Sequence, residues 1–252
     1  MPCRDHEAVL HFVGRLSFIH NKSAIFTLSF KRTYMKRILI FIIAIIALPV
    51  IASAQNDWAN YVRYADANAQ LTVSPRVVFM GDSITDGWPR VDQEFFSENN
   101  FVGRGISGQV TSQMLLRFRQ DVLDLHPKYV VILAGTNDIA CNSGYIDMDK
   151  TFGHIASMCE LAKANGIKPI ICSVLPCSSY PWRPEITDAA DKVMQLNSML
   201  EAYAKANRIK YVDYHSAMKD ENNGLPENLA KDGVHPTREG YDIMKDIILK
   251  AL

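Results

Sequence analysis

Short runs of consecutive apolar residues alternate along the chain with longer stretches whose apolar positions recur every three or four residues. Residues 76–80, 129–133 and 168–174 are such short runs, with a weaker one at 101–103 and a last one at 209–213. A strand with one wet face would alternate apolar and polar residues, so continuous runs predict strands buried on both faces. Between them, residues 112–125 set Met114, Leu115, Phe118, Val122 and Leu125 at helical spacing. Residues 148–165, 189–207 and 238–252 predict three more helices, the first ended by the C-cap chemistry of Asn165-Gly166. Residues 57–71 predict a leading helix. Strands alternating with helices imply a parallel sheet covered on both faces. Ligands of such sheets bind beyond the carboxyl ends of the strands, so chemistry is expected directly after each apolar run.

Residues 1–54 stand apart. They hold seven Lys/Arg and two Asp/Glu in a chain of zero net charge, which leaves the remainder at −5. A mildly acidic body gives no electrostatic reason to bind nucleic acid. The basic Met35-Lys36-Arg37, the apolar residues 38–51 and the small residues Ala52-Ser53-Ala54 predict a secretory signal peptide over 35–54. Its 14 apolar residues fall short of the ~20 that span a bilayer, which favours cleavage after Ala54 over a membrane anchor. No Cys follows Ala54, so no lipid attachment is expected there, and the mature protein is expected outside the cytoplasm, secreted or periplasmic. Met35 is the expected initiator, with residues 1–34 a gene-start artefact or disordered extension. Residues 55–252 are expected to form one domain.

Composition fits a globular body, with 48% hydrophobic and 21% charged residues. Cys141, Cys159, Cys172 and Cys177 show no metal-ligand spacing, and no metal or cofactor is expected. Cys159 and Cys172 read as buried small apolar residues. Cys141 and Cys177 each follow a strand closely, and the spacing leaves open a disulfide between them or two free thiols.

Four polar loops follow the apolar runs. Gly81-Asp82-Ser83-Ile84-Thr85 succeeds the first and places a serine at the sheet edge. Gly103-Arg104-Gly105-Ile106-Ser107-Gly108-Gln109 succeeds the second, and Gly135-Thr136-Asn137-Asp138 the third. Taken singly, each reads equally as turn or capping chemistry. A nucleotide loop of the G-x-G-x-x-G kind should follow the first strand, not the second. Asp232-Gly233-Val234-His235-Pro236 precedes the last helix. A serine hydroxyl needs a base, and a histidine base needs a carboxylate to fix its tautomer. Asp232 and His235 meet that need in one turn. His215, two residues after Asp213, is the rival base.

Together, in this order, the four loops resemble the four blocks of the SGNH/GDSL hydrolases, from about Arg76 to the end of the chain. The resemblance implies a flavodoxin-like three-layer α/β/α sandwich around a five-stranded parallel sheet. It implies a serine esterase with Ser83 as nucleophile, His235 as base and Asp232 as its orienting acid. Gly108 and Asn137, with the Ser83 backbone N–H, correspond to the oxyanion donors. Many members carry Asn where this chain has Gly103. The family acts on small-molecule and glycan esters. A small acyl group, acetyl first, is expected here, with a lysophospholipase- or thioesterase-like activity as the alternative and a non-catalytic binding module as the reading from outside enzymology. Trp88, Tyr180, Trp182 and Arg183, read as loop residues, either flank the substrate or pack the loops together.

Overall fold

The computed structural model describes residues 57–252. The signal segment, the Ala54 cleavage point and residues 1–34 lie outside the described residues. Five parallel strands, β1 (Val77–Gly81), β2 (Phe101–Gly105), β3 (Tyr129–Leu133), β4 (Lys168–Cys172) and β5 (Lys210–Val212), form one sheet in the order β2-β1-β3-β4-β5. The order reverses at β1, which pairs with β2 on one side and β3 on the other. This is the flavodoxin-like winding, and its crevice opens at the carboxyl ends of β1 and β3.

Alternation along each strand explains the continuous apolar runs. Val78, Met80, Val130, Ile132 and Ile171 face one core, and Val77, Phe79, Val131, Leu133 and Ile170 face the other. The first core is closed by α4 (Thr111–Asp121), α6 (Met148–Ala164) and α7 (Ala189–Asn207), through residues such as Phe118, Ile155 and Leu196. The second is closed by α2 (Ser83–Val91), α3 (Gln93–Glu98) and α9 (Arg238–Leu249). Helix α9 buries Tyr241, Met244 and Ile248 and is capped by the Thr237 hydroxyl, which accepts from Gly240 N–H. The short helices α1 (Ala65–Ala69), α5 (Thr136–Ile139) and α8 (Tyr214–Met218) complete the set. No helix among the described residues is long and apolar enough to cross a membrane.

The leading helix expected over 57–71 is replaced by a 3-10 turn (Tyr61–Tyr64) and the five-residue α1. Neither piece buries a residue, so no apolar stripe holds a longer helix on the body. Polar tips hold the segment instead: Tyr61 Oη donates to Leu116 O, and Asn68 Nδ2 donates to Asp121 Oδ1. The helix expected to reach 125 stops at Asp121, followed by a 3-10 turn (Leu123–Leu125) and His126 at φ 51°.

Gly103 has a packing reason. A Cβ at this position would lie 2.7 Å from Pro89 Cγ. Helix α2 carries Pro89 inside it, and the proline ring occupies the space that an Asn side chain would need.

Candidate active site

The four loops converge at the carboxyl edge of β1 and β3. Ser83 is the first residue of α2, whose N-cap Asp82 accepts from Ile84 N–H. Its backbone N–H therefore belongs to the helix's first turn, where it has no intrahelical partner. Gly108 follows β2 with φ +80°, and a Cβ there would meet no atom within 4 Å. The left-handed backbone, rather than crowding, favours glycine. Asn137 lies buried in α5.

Ser83 Oγ lies 2.8 Å from His235 Nε2, and His235 Nδ1 lies 2.6 Å from Asp232 Oδ2. Asp232 divides its two oxygens. Oδ2 takes the ring, while Oδ1 accepts from the backbone N–H groups of Val234 and His235. Burial pushes this carboxyl up, but the bonds from the His235 ring and the two backbone N–H groups outweigh it and hold Asp232 below its ordinary range. An ionised Asp232 accepts from Nδ1–H and leaves Nε2 free to accept from the Ser83 hydroxyl. A hydroxyl so placed can be deprotonated as it attacks an electrophile. Among the described residues no group of three or more His, Cys, Asp or Glu could hold a metal.

Several supporting groups were not legible in the sequence. Arg117 is completely buried on α4, paired with Asp121 at 2.9 Å. Its guanidinium also donates to Gly81 O, Arg104 O and Gln109 Oε1. One side chain thus ties the end of β1, the end of β2 and the residue after Gly108. Losing either member of the pair would leave a buried charge uncompensated, at a cost of about 3–5 kcal/mol. The only sequence signal is a charged i,i+4 pair set among Met114, Phe118 and Val122. Asp138 ties a second seam by accepting from the N–H and hydroxyl of Thr111, the first residue of α4. Burial raises Asp138 to about 6 against those hydrogen bonds.

Asp82, beside Ser83, is fully enclosed. Burial pushes it up to about 7 from 3.8, against the Ile84 N–H bond and the nearby His235. The unfolded chain ionises Asp82 near 3.8, whereas the folded chain resists until about 7. Asp82 therefore lowers stability as pH rises through that window. Asp82→Asn keeps an oxygen for Ile84 N–H and removes the titration. Its urea midpoint is expected to lie close to wild type at pH 4 and above it at pH 8. A gap of equal size at both pH values would contradict the assignment.

Of the four residues read as loop contacts, the structure corrects two. Trp88 sits inside α2 at 2% exposure, stacked on Phe95 and Tyr241 and edge-on to Phe79, so it is core and not rim. Tyr180 is 1% exposed, with its hydroxyl bonded to Thr136 Oγ1. Arg183 packs loops together by donating to Cys141 O. Trp182 remains at the rim, 41% exposed, with its ring 6.2 Å from that of His235. His215 does not join the Ser83 cluster as a base. It lies buried in α8, its N–H donates to Ser173 Oγ, and it borders a separate cavity with Asn197, Tyr211 and Asp213. Cys141 and Cys177 are free thiols, directed to the carbonyls of Ile139 and Ser179 respectively. Cys159 and Cys172 are buried.

Residues 79–243 match the GDSL-like lipase/acylhydrolase family. The crystal structure of a GDSL-like lipase from Bacteroides thetaiotaomicron has 56% sequence identity to this chain, covering 77% of this chain and 97% of that one, with a TM-score of 0.75. The isoamyl acetate-hydrolyzing esterase of Saccharomyces cerevisiae is 24% identical over 209 residues, 78% of this chain and 87% of that protein. The lipoprotein YqeF of Bacillus subtilis is 35% identical over 80 residues, a match that spans 33% of that protein and 31% of this chain.

Proposed function

The chain belongs to the GDSL-like lipase/acylhydrolase family and is a carboxylic ester hydrolase, and from that premise we propose that it is an exported serine esterase that removes small acyl groups, acetyl foremost, from carbohydrate or similar alcohols. The observation that carries the mechanism is the continuous hydrogen-bonded series from Ser83 Oγ through His235 to Asp232. Ser83 Oγ attacks the ester carbonyl as its proton passes to His235 Nε2. The tetrahedral oxyanion accepts from the backbone N–H groups of Ser83 and Gly108 and from Asn137 Nδ2. That nitrogen carries two hydrogens, and Gln109 O takes one of them. The C–O bond to the leaving alcohol then breaks as His235 returns the proton to it. Water, deprotonated by the same ring, cleaves the acyl-enzyme and regenerates Ser83.

Substrate and location rest on separate support. Trp182 beside His235 offers an aromatic face where the leaving alcohol departs, which suits a sugar ring. The similarity to an esterase named for an acetate ester agrees with a short acyl group. Export is supported by the signal-like segment 35–54 and by the partial likeness to a lipoprotein. Residues 55–252 are the catalytic domain in this reading. A series of aryl esters of rising acyl length tests the acyl preference. The ratio kcat/KM should be highest for acetate and fall by about tenfold or more by octanoate, because an acyl site sized for acetyl would have to exclude the added methylenes or strain to seat them. A maximum at octanoate would replace this reading with the lysophospholipase-like one.

A further inference from the structure

A line of amide and indole groups runs from the rim to Asn137. Trp182 Nε1–H donates to Asn142 Oδ1 at 2.9 Å, and Asn142 Nδ2 donates to Asn137 Oδ1 at 2.6 Å. Asn137 Nδ2 in turn donates to Gln109 O at 3.0 Å. Two further bonds hold the same seam: Asn142 N–H donates to Asn137 O, and the Arg183 guanidinium donates to the carbonyl of Cys141, the residue before Asn142.

The chemistry of these groups makes the line directional. A carboxamide has one accepting end and one donating end, and only its partners decide which way it points. Asn137 would be useless as an oxyanion donor if its amide were flipped, because its oxygen would then face the developing negative charge. Gln109 O selects the Nδ2 end on one side, and Asn142 selects the Oδ1 end on the other. Asn142 can do so only while its own amide is held with Nδ2 towards Asn137, and the indole N–H of Trp182 supplies that hold because it is a donor and never an acceptor.

We infer that Asn142 is a positioning residue for ester hydrolysis, set by Trp182, which locks the Asn137 amide in its donating orientation. The inference rests on the reading of Asn137 as an oxyanion donor. Asn142 acts only through Asn137 and touches no substrate. Trp182 thereby has two separable parts: a ring face at the rim and an N–H that orients the donor.

The test is steady-state hydrolysis of an aryl acetate by the full mature chain, with Asn137→Ala, Asn142→Asp, Asn142→Ala and the double variant Asn137→Ala/Asn142→Ala. Asn137→Ala should lower kcat by about 10²–10³-fold. Asn142→Asp, assayed at pH ~8 so that the new carboxyl is ionised, keeps an acceptor for Trp182 but sets a carboxylate oxygen against Asn137 Oδ1, which turns the Asn137 amide out of its donating orientation. It should lose about 10²-fold or more in kcat, with KM within about twofold. Asn142→Ala leaves the amide held from one side and should lose about tenfold. In the Asn137→Ala background, Asn142→Ala should change kcat by less than about twofold, because its only route of action is gone. Trp182→Phe preserves a ring, removes the N–H and should lower kcat by a few-fold with little change in KM.

Full activity in Asn142→Asp would overturn the inference, and so would an equal loss from Asn142→Ala with and without Asn137. If Asn137→Ala itself kept full kcat, the oxyanion reading would fall and take the inference with it. A thermal melt of each variant separates a positioning loss from unfolding: a loss of kcat matched by collapse of the melt in both Asn142 variants contradicts a positioning role.

Discussion

Ser83→Ala is expected to lower kcat for an aryl acetate by about 10⁴-fold or more, with the fold intact. The size of the loss follows from the division of labour at the site. In the proposed mechanism the hydroxyl is the one group that forms a bond to the acyl carbon, and among the described residues it is the hydroxyl bonded to His235. What remains in the variant is binding and the N–H donors, which act on a direct water attack alone. The substitution removes one oxygen from a half-buried position at the helix start. The N-cap bond from Ile84 to Asp82 does not involve it, so thermal stability should stay near wild type. A loss of only a few-fold, in a well-folded variant, would mean that another group attacks the ester.

The second large effect is expected at Asp232. Asp232→Asn should lower kcat by about 10³–10⁴-fold, while KM and the melt change little. The reasoning uses the separate duties of its two oxygens. Oδ1 holds the turn by accepting from the Val234 and His235 N–H groups, and Asn can keep that oxygen in place. The other position becomes an NH2 facing His235 Nδ1. A donor there requires Nδ1 to be the accepting nitrogen, which moves the ring proton to Nε2. Nε2–H then points at Ser83 Oγ and cannot take its proton. Asp232→Ala should lose stability as well as activity, because the turn loses its acceptor. Equal melts for the Ala and Asn variants would contradict this division between the oxygens.

Much of this architecture was legible in the chain, for a definable reason. Residues buried on both sides of a parallel sheet leave continuous apolar runs, and the run at Tyr129–Leu133 coincides with β3. Long amphipathic helices such as Ala189–Asn207 were equally visible. Helix α2 was not, because Gly87 and Pro89 interrupt it and its opening residues read as motif. That concealment sent Trp88 to a loop when it belongs to the aromatic core. The four loops were legible through resemblance and their place after the strands. Their supports were not. Arg117 and Asp121 have the spacing of an exposed ion pair, and only three-dimensional placement shows them tying the loops from inside. Asn142 looks like any turn asparagine until its amide is seen against that of Asn137.

Gly105 and Gly103 show two ways in which α2 is fitted to its neighbours. A Cβ at Gly105 would lie 2.2 Å from the backbone nitrogen of Asp86, and one at Gly103 would strike Pro89. The helix that presents Ser83 therefore lies directly on β2. This close fit sets the Asp82 carbonyl and the first turn of α2 against Gly105, the strand end that leads into the loop carrying Gly108.

The most direct measurement is covalent labelling with a serine-directed alkyl phosphonate, read by intact mass and peptide mapping. One adduct per chain, on Ser83, absent in Ser83→Ala and slowed in Asp232→Asn, is the expected result. No adduct on a folded chain, or an adduct mapped to another residue, would contradict the assignment of Ser83 as the nucleophile; the first outcome would also favour a binding module on the same fold.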